Sequence, residues 1–240
     1  MTSTFASASL VRLLSPWTPV PAPAGGADFA ERLAGWVGAF DAITLQSAHQ
    51  AVRTLGSGAA TGAPPAGRVR EWAAALERTR AAIAASVARA AADAAEFAAV
   101  EPTYAPFRQR QLELQRQMEQ MVGALRDHVR HGLGRASRGL RQLAALDTAL
   151  EQLLQRQQQL LLPVAADLLA RRFEQLRAAH RQVVETTGQP DDPKRWREPG
   201  GWLRTFLDDW RQALLAELEL RLEPVAGLLE AAGHEPIETT

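Results

Sequence analysis

Residues Arg68–Val100 read RVREWAAALERTRAAIAASVARAAADAAEFAAV, and this stretch decides the fold. Val69, Trp72, Leu76, Thr79, Ile83, Val87, Ala90, Ala94 and Phe97 recur at spacings of three and four, which places them on one stripe of a single α-helix. At about 1.5 Å per residue such a helix is about 50 Å long. Its many alanines favour helix and let a neighbour approach closely. Glu101-Pro102 ends it, and Thr103–Pro106 makes a tight connection. Helices of this length build rods and bundles, which present surfaces more often than they enclose pockets.

Before this helix, Leu55–Gly67 is rich in Gly, Ala and Pro and reads as a loop. Asp28 is placed to cap a helix reaching about Arg53, with Phe29, Leu33, Trp36, Val37, Phe40 and Ile43 on its inner face. Residues 1–27 form an apolar arm that ends in Pro19, Pro21 and Pro23. So many large apolar groups are expected to dock on the bundle or on a partner.

After it, a helix from Phe107 carries Leu114, Met118, Met121, Val122, Leu125 and Val129, until Gly132, Gly134 and Gly139 loosen the pattern. Leu143, Leu146, Leu150, Leu153, Leu160 and Val164 then follow at heptad-like spacing and are expected to face the core, with Gln157 the one polar position among them. Pro163 interrupts this segment, but its apolar flanks hold none of the residues a turn needs. The reading is therefore a kinked or restarted helix to about Glu185, and not a reversal. Residues 188–201 are the candidate linker. A last helix spans 202–232, ahead of a tail, 233–240. Glu217–Glu223 (ELELRLE) alternates like a strand, yet Leu203, Leu207, Trp210, Leu214, Leu218, Val225 and Leu229 keep helical spacing through it. Its wide apolar face predicts contact on more than one side. The expected fold is all-α: a Pro-rich arm (1–27) and an elongated bundle of five or six long helices, with 28–187 as the main body and 202–232 packing on it or on a partner.

Composition narrows the function. Hydrophobic residues at 46% and charged residues at 22% are ordinary for a globular chain, and the net charge is zero, so the whole molecule has no pull toward nucleic acid or anionic lipid. Charge is unevenly placed, with 13 arginines against 7 acids over 108–182 and 3 against 8 over 201–240. Opposite signs can steer the two parts together, within one chain or between copies. The absence of cysteine excludes disulfides and thiolate chemistry and fits the cytoplasm. Ala22-Pro23-Ala24 imitates a signal-peptide cleavage site, but no Lys or Arg precedes the apolar stretch and Arg12 interrupts it. No apolar run approaches the ~20 residues of a membrane span.

Three stretches carry a family resemblance: Phe29–Ser47 (FAERLAGWVGAFDAITLQS), Leu143–Leu154 (LAALDTALEQLL) and Leu214–Ala232 (LLAELELRLEPVAGLLEAA). Over nearly its whole length the chain resembles a family of functionally uncharacterised, mostly helical proteobacterial proteins, a domain of unknown function. The resemblance implies a bacterial helical protein and carries no activity or site residues. Such families are associated with gene neighbourhoods encoding membrane and peptidoglycan-associated proteins, which implies an envelope-linked role.

The constellations that could carry chemistry are few. Arg126, Arg130, Arg135, Arg138 and Arg141 form the strongest cluster. They read as a solvated turn or intramolecular salt bridges, with an anion or partner contact as the functional alternative. Nucleic acid is disfavoured, because no aromatic interleaves them to stack on bases. His128 and His131 are three apart and share a helix face, but no glutamate completes a HExxH pattern, and no metal or cofactor is expected. Asp41 and Asp147 stand in apolar surroundings; buried, either could act as a general base or pair with arginine. Trp202, Phe206 and Trp210 read as core, with a partner-facing anchor as the alternative. The resulting expectation is a non-enzymatic cytoplasmic scaffold or adaptor acting through protein–protein contacts, as a homo-oligomer or on a partner in an envelope complex. An enzyme using buried Asp and Arg, and an anion- or nucleic-acid-binding helical protein, are the alternatives.

Overall fold

The structure is a computed structural model. It describes residues 62–100 and 102–234, with Leu13, Gln46 and Gln50 as isolated positions. Apart from these positions the arm 1–27, the expected helix from Asp28 to Arg53, Asp41 and the tail beyond 234 lie outside the described residues. Those described form α1 (Ala66–Val100), α2 (Ala105–Leu133), α3 (Arg138–Thr187), the short α4 (Pro193–Trp196) and α5 (Trp202–His234). No strand occurs among them, and the fold is an all-α helical bundle.

Local chemistry sets the ends. Pro106 stands in the first turn of α2, where its missing N–H is not needed. Ser137 caps α3, its hydroxyl accepting from the Leu140 N–H at 3.3 Å. Gly188 closes α3 with φ 65°, donating its N–H to the Val184 carbonyl at 2.9 Å; a side chain would strain this left-handed cap. The candidate linker is partly structured: Asp192 accepts from the Lys194 N–H at 2.9 Å, Pro193 opens α4, and Trp196 is buried. α3 runs through Pro163 without a break. The chain does not reverse there, because the flanks offer no turn residue. α5 likewise contains Pro224.

The chain divides into two compact units, and each long helix contributes a segment to both. One unit holds 78–122 and 162–222. Its centre is aromatic: Phe206 meets Phe107 and Phe173 edge-on, each at 5.0 Å between ring centroids, and Trp202 packs 5.4 Å from Phe173. Ile83, Val87, Met118, Leu169, Leu203 and Leu214 complete this core. The strand-like ELELRLE resolves here as helix. Leu218 and Leu222 are buried, buried Glu217 accepts from Gln115 at 2.9 Å and from Arg221 at 2.7 Å, and Glu219 meets Arg80 at 2.9 Å. Leu214, Leu218, Val225 and Leu229 are all buried. The apolar face of α5 is therefore spent within the chain.

The other unit holds 62–77, 123–161 and 223–234 among the described residues. Trp72, Leu76, Leu125, Val129, Leu133, Leu140, Ala144, Val225 and Leu228 are buried in it. A Cβ on Gly132 would overlap the Trp72 ring, so this glycine serves close packing where its residue type alone reads as a helix breaker. One expectation about α3 is corrected. The heptad line does not face the core at this end: Leu143 and Leu146 are half-buried and Leu150 is 45% exposed. The buried line is Leu140, Ala144 and Asp147.

Two measurements test this description. Pro163→Ala restores a backbone donor inside a continuous helix, so the melting temperature should hold or rise, with an unchanged elution volume. A marked fall, or a new dimer peak, would mean that the chain turns at Pro163. Tyr104, the chain's only tyrosine, donates to Gln111 Oε1 (3.1 Å) or the Ala166 carbonyl (3.3 Å), and burial pushes its phenol up to about 12. The fold thus favours the protonated phenol. Its contribution should be whole below about pH 10 and lost as pH rises toward 12, falling by about 1.4 kcal/mol for each pH step of one across that interval. Phenolate absorbance rising with a midpoint near 10 in the folded protein would contradict the packing.

Candidate functional site

The arginine cluster lies where α2 turns into α3, and the structure divides it. Arg126 and Arg130, one turn apart on α2, face Asp147 and Glu151 at the same spacing on α3. The Arg126 fork grips Asp147 at both oxygens, Nε to Oδ2 at 2.8 Å and Nη2 to Oδ1 at 2.6 Å. Arg130 donates from Nε to Asp147 Oδ2 and from Nη1 to Glu151 Oε2, both at 2.6 Å, and Arg126 Nη1 reaches Glu151 Oε1 at 3.3 Å. Asp127, on the exposed side of α2, adds a third carboxylate, accepting from Arg130 Nη1 at 3.1 Å, so both guanidinium charges are answered within the cluster. Burial would push the Asp147 carboxyl up, but hydrogen bonds from Arg126 and Arg130 outweigh it and hold the group below its ordinary value. A general base needs the opposite, a raised carboxylate with a free lone pair.

Arg135 stands outside this cluster, in the turn after α2. With Arg68 in the first turn of α1, it lines an open cleft of about 400 Å³. His128 and His131 are exposed on α2 and border the same cleft, whose wall includes Trp72 and Gly132. Arg138 is exposed and Arg141 half-buried, and neither lines it. The five arginines therefore do not form one surface. Among the described residues no group of three His, Asp or Glu side chains converges on a metal position. Trp202, Phe206 and Trp210 are not partner-facing: all three are buried in the aromatic core of the other unit.

In that unit, a second polar contact ties down the candidate linker. Asp191 Oδ1 accepts from the Trp196 indole at 2.6 Å and lies 2.8 Å from His180 Nε2. Burial works against the Asp191 carboxylate, but these two contacts outweigh it and lower its pKa. No nucleophile is placed beside this His–Asp pair by any of these contacts.

Sequence reasoning missed Glu151, Arg68 and Trp72. The matching four-residue spacings of Arg126/Arg130 and Asp147/Glu151 are a signal that could have found the first. The cleft has no such local signal, since it joins residues about 60 positions apart. Residues 1–234 match the family described as protein of unknown function DUF3348, and the chain belongs to that family. No curated protein and no solved structure matches it.

Removing one member of the ion cluster leaves buried charge unanswered. Asp147→Ala should destabilise the fold by about 3–5 kcal/mol in denaturant melts. Because the carboxyl is lowered in the fold, this contribution is present above its ordinary value of 3.8 and is lost as pH falls below it. A mutant as stable as the parent at pH 7 would show that the cluster is open to solvent.

Proposed function

We propose that this protein is a non-enzymatic helical scaffold that works by taking a partner helix on one face of α3. The observation that carries the reading is exposed Leu150, with half-buried Leu143 and Leu146 in line with it on the same side of α3. Leucines in line at spacings of three and four are the usual content of a helix–helix seam. Here an ion cluster takes the inner line while the leucines meet the surface, the reverse of what stability of one chain asks. An apolar line facing outward is a docking feature. The saturation of Asp147 by two guanidinium groups favours binding over catalysis as the mode of action.

The partner is either a second copy or a helix of another protein, and the cytoplasm is the compartment we assign. No helix among the described residues is long and apolar enough to cross a membrane. We place any contact with an envelope complex at its periphery.

Leu150→Glu tests the reading, because an exposed position should tolerate the charge with little change in melting temperature. The parent should sediment as an assembly, or give a discrete adduct from a photo-cross-linking residue at 150 in its native cell; Leu150→Glu should abolish the association. A parent that stays a 26.1 kDa monomer and gives no adduct at 150 would refute it.

A further inference from the structure

We propose that the helix docking on α3 is α3 of a second copy of this chain, lying parallel and in register along Leu143–Leu160. This inference rests on the docking reading of α3 and names the occupant of that face. Spacing is its first ground. Leu143, Leu146 and Leu150 are followed, at alternating steps of three and four, by Leu153, Gln157 and Leu160. α3 is one continuous helix here, so these six positions stand on one narrow stripe. At its start Leu150 is exposed and Leu143 and Leu146 are half-buried, while the neighbouring line of Leu140, Ala144 and Asp147 is the buried one. A seven-residue apolar repeat beside the buried line, and not on it, has the pattern of a coiled-coil seam.

The second ground is what flanks this seam. Charges beside the apolar line of a coiled coil choose the partner and its direction. Here the flanking positions are Gln142, Asp147, Ala149, Leu154, Arg156 and Leu161. Asp147 is held by Arg126 and Arg130 of its own chain. In a parallel pair each flank faces the one five positions on in the other copy. Arg156 then faces Leu161, Ala149 faces Leu154, and no two like charges are opposed. A foreign helix finds no free pattern of charge to select it, and a second copy finds nothing to repel it. Two-fold pairing of identical surfaces needs this self-complementarity.

The third ground is Gln157, the one polar residue on the line. A single polar residue in such a seam fixes register and strand number at a cost in stability. A primary amide both donates and accepts, so two glutamines at the same height answer each other. Parallel pairing in register brings them to that height. Antiparallel pairing about the middle of the line would set Gln157 against Leu146 and leave the amide without a partner.

The chain has no cysteine, so an introduced one is the sole thiol and reports the register directly. Under glutathione oxidation, Leu150→Cys and Gln157→Cys should each close a disulfide with the same position of the other copy. Only a parallel pair sets both positions beside themselves at disulfide distance. Each product should run at twice the 26.1 kDa chain mass, and Thr148→Cys, exposed but off the seam, should give at least tenfold less of it. In sedimentation, Leu150→Glu and Leu150→Lys should each weaken association at least tenfold, and mixing the two should restore it, with circular dichroism unchanged. The proposal is overturned if the parent stays monomeric at tens of micromolar, if the thiols at 150 and 157 do not both close, or if Thr148→Cys closes as readily. A monomeric parent that still gives an adduct at 150 with another protein in its native cell ends the second-copy assignment and leaves the docking face standing. Neither association nor adduct would end both.

Discussion

Asp147 faces inward because two guanidinium groups meet it there, and the orientation of α3 depends on that contact. Arg126 and Arg130 present donors one turn apart, and Asp147 and Glu151 answer them at the same interval. Turning α3 by one residue, about 100°, would bring the leucine line toward the core and strand both arginines. Hydrophobic burial favours that rotation. Leaving two desolvated guanidiniums unpaired opposes it with a larger cost, several kcal/mol. A buried ion cluster of this kind adds little net stability over apolar packing, so its effect here is to choose which face of the helix is inside.

That choice has consequences on both sides of α3. Inside, Leu140, Ala144 and Asp147 form the buried line. Outside, Leu143, Leu146 and Leu150 are left with more contact with water than their type and spacing would suggest. The other unit is organised by apolar and aromatic contact. Phe107, Phe173, Phe206 and Trp210 fill its centre, and Glu217 and Glu219 of α5 are matched by Gln115, Arg221 and Arg80. A segment that alternates like a strand in one dimension is therefore helical, with each charge answered at its own height.

The same turn that aligns the ion cluster also separates the arginines by role. Arg126 and Arg130 lie under α3 in the ion cluster; Arg135, two residues past the end of α2, borders the cleft beside Trp72. Gly132 joins the two features, since its bare backbone leaves the space that the Trp72 ring occupies, and both residues border that cleft.

Periodicity alone determined much of this protein. The stripe of α1, the unbroken course of α3 through Pro163, the helical nature of 217–223 and the buried aromatics of α5 are local consequences of spacing and of turn chemistry that is present or missing. Only the tertiary structure decided which of two neighbouring lines on α3 is buried. A leucine heptad and a polar line displaced by one position are both compatible with helix, and the partner helix selects between them by the charges it presents. The packing of Gly132 and the neighbours of Arg68 were likewise decided in three dimensions. The first depends on a ring 60 residues earlier in the chain and the second on a turn about as far ahead, and no local spacing encodes a contact made across two helices.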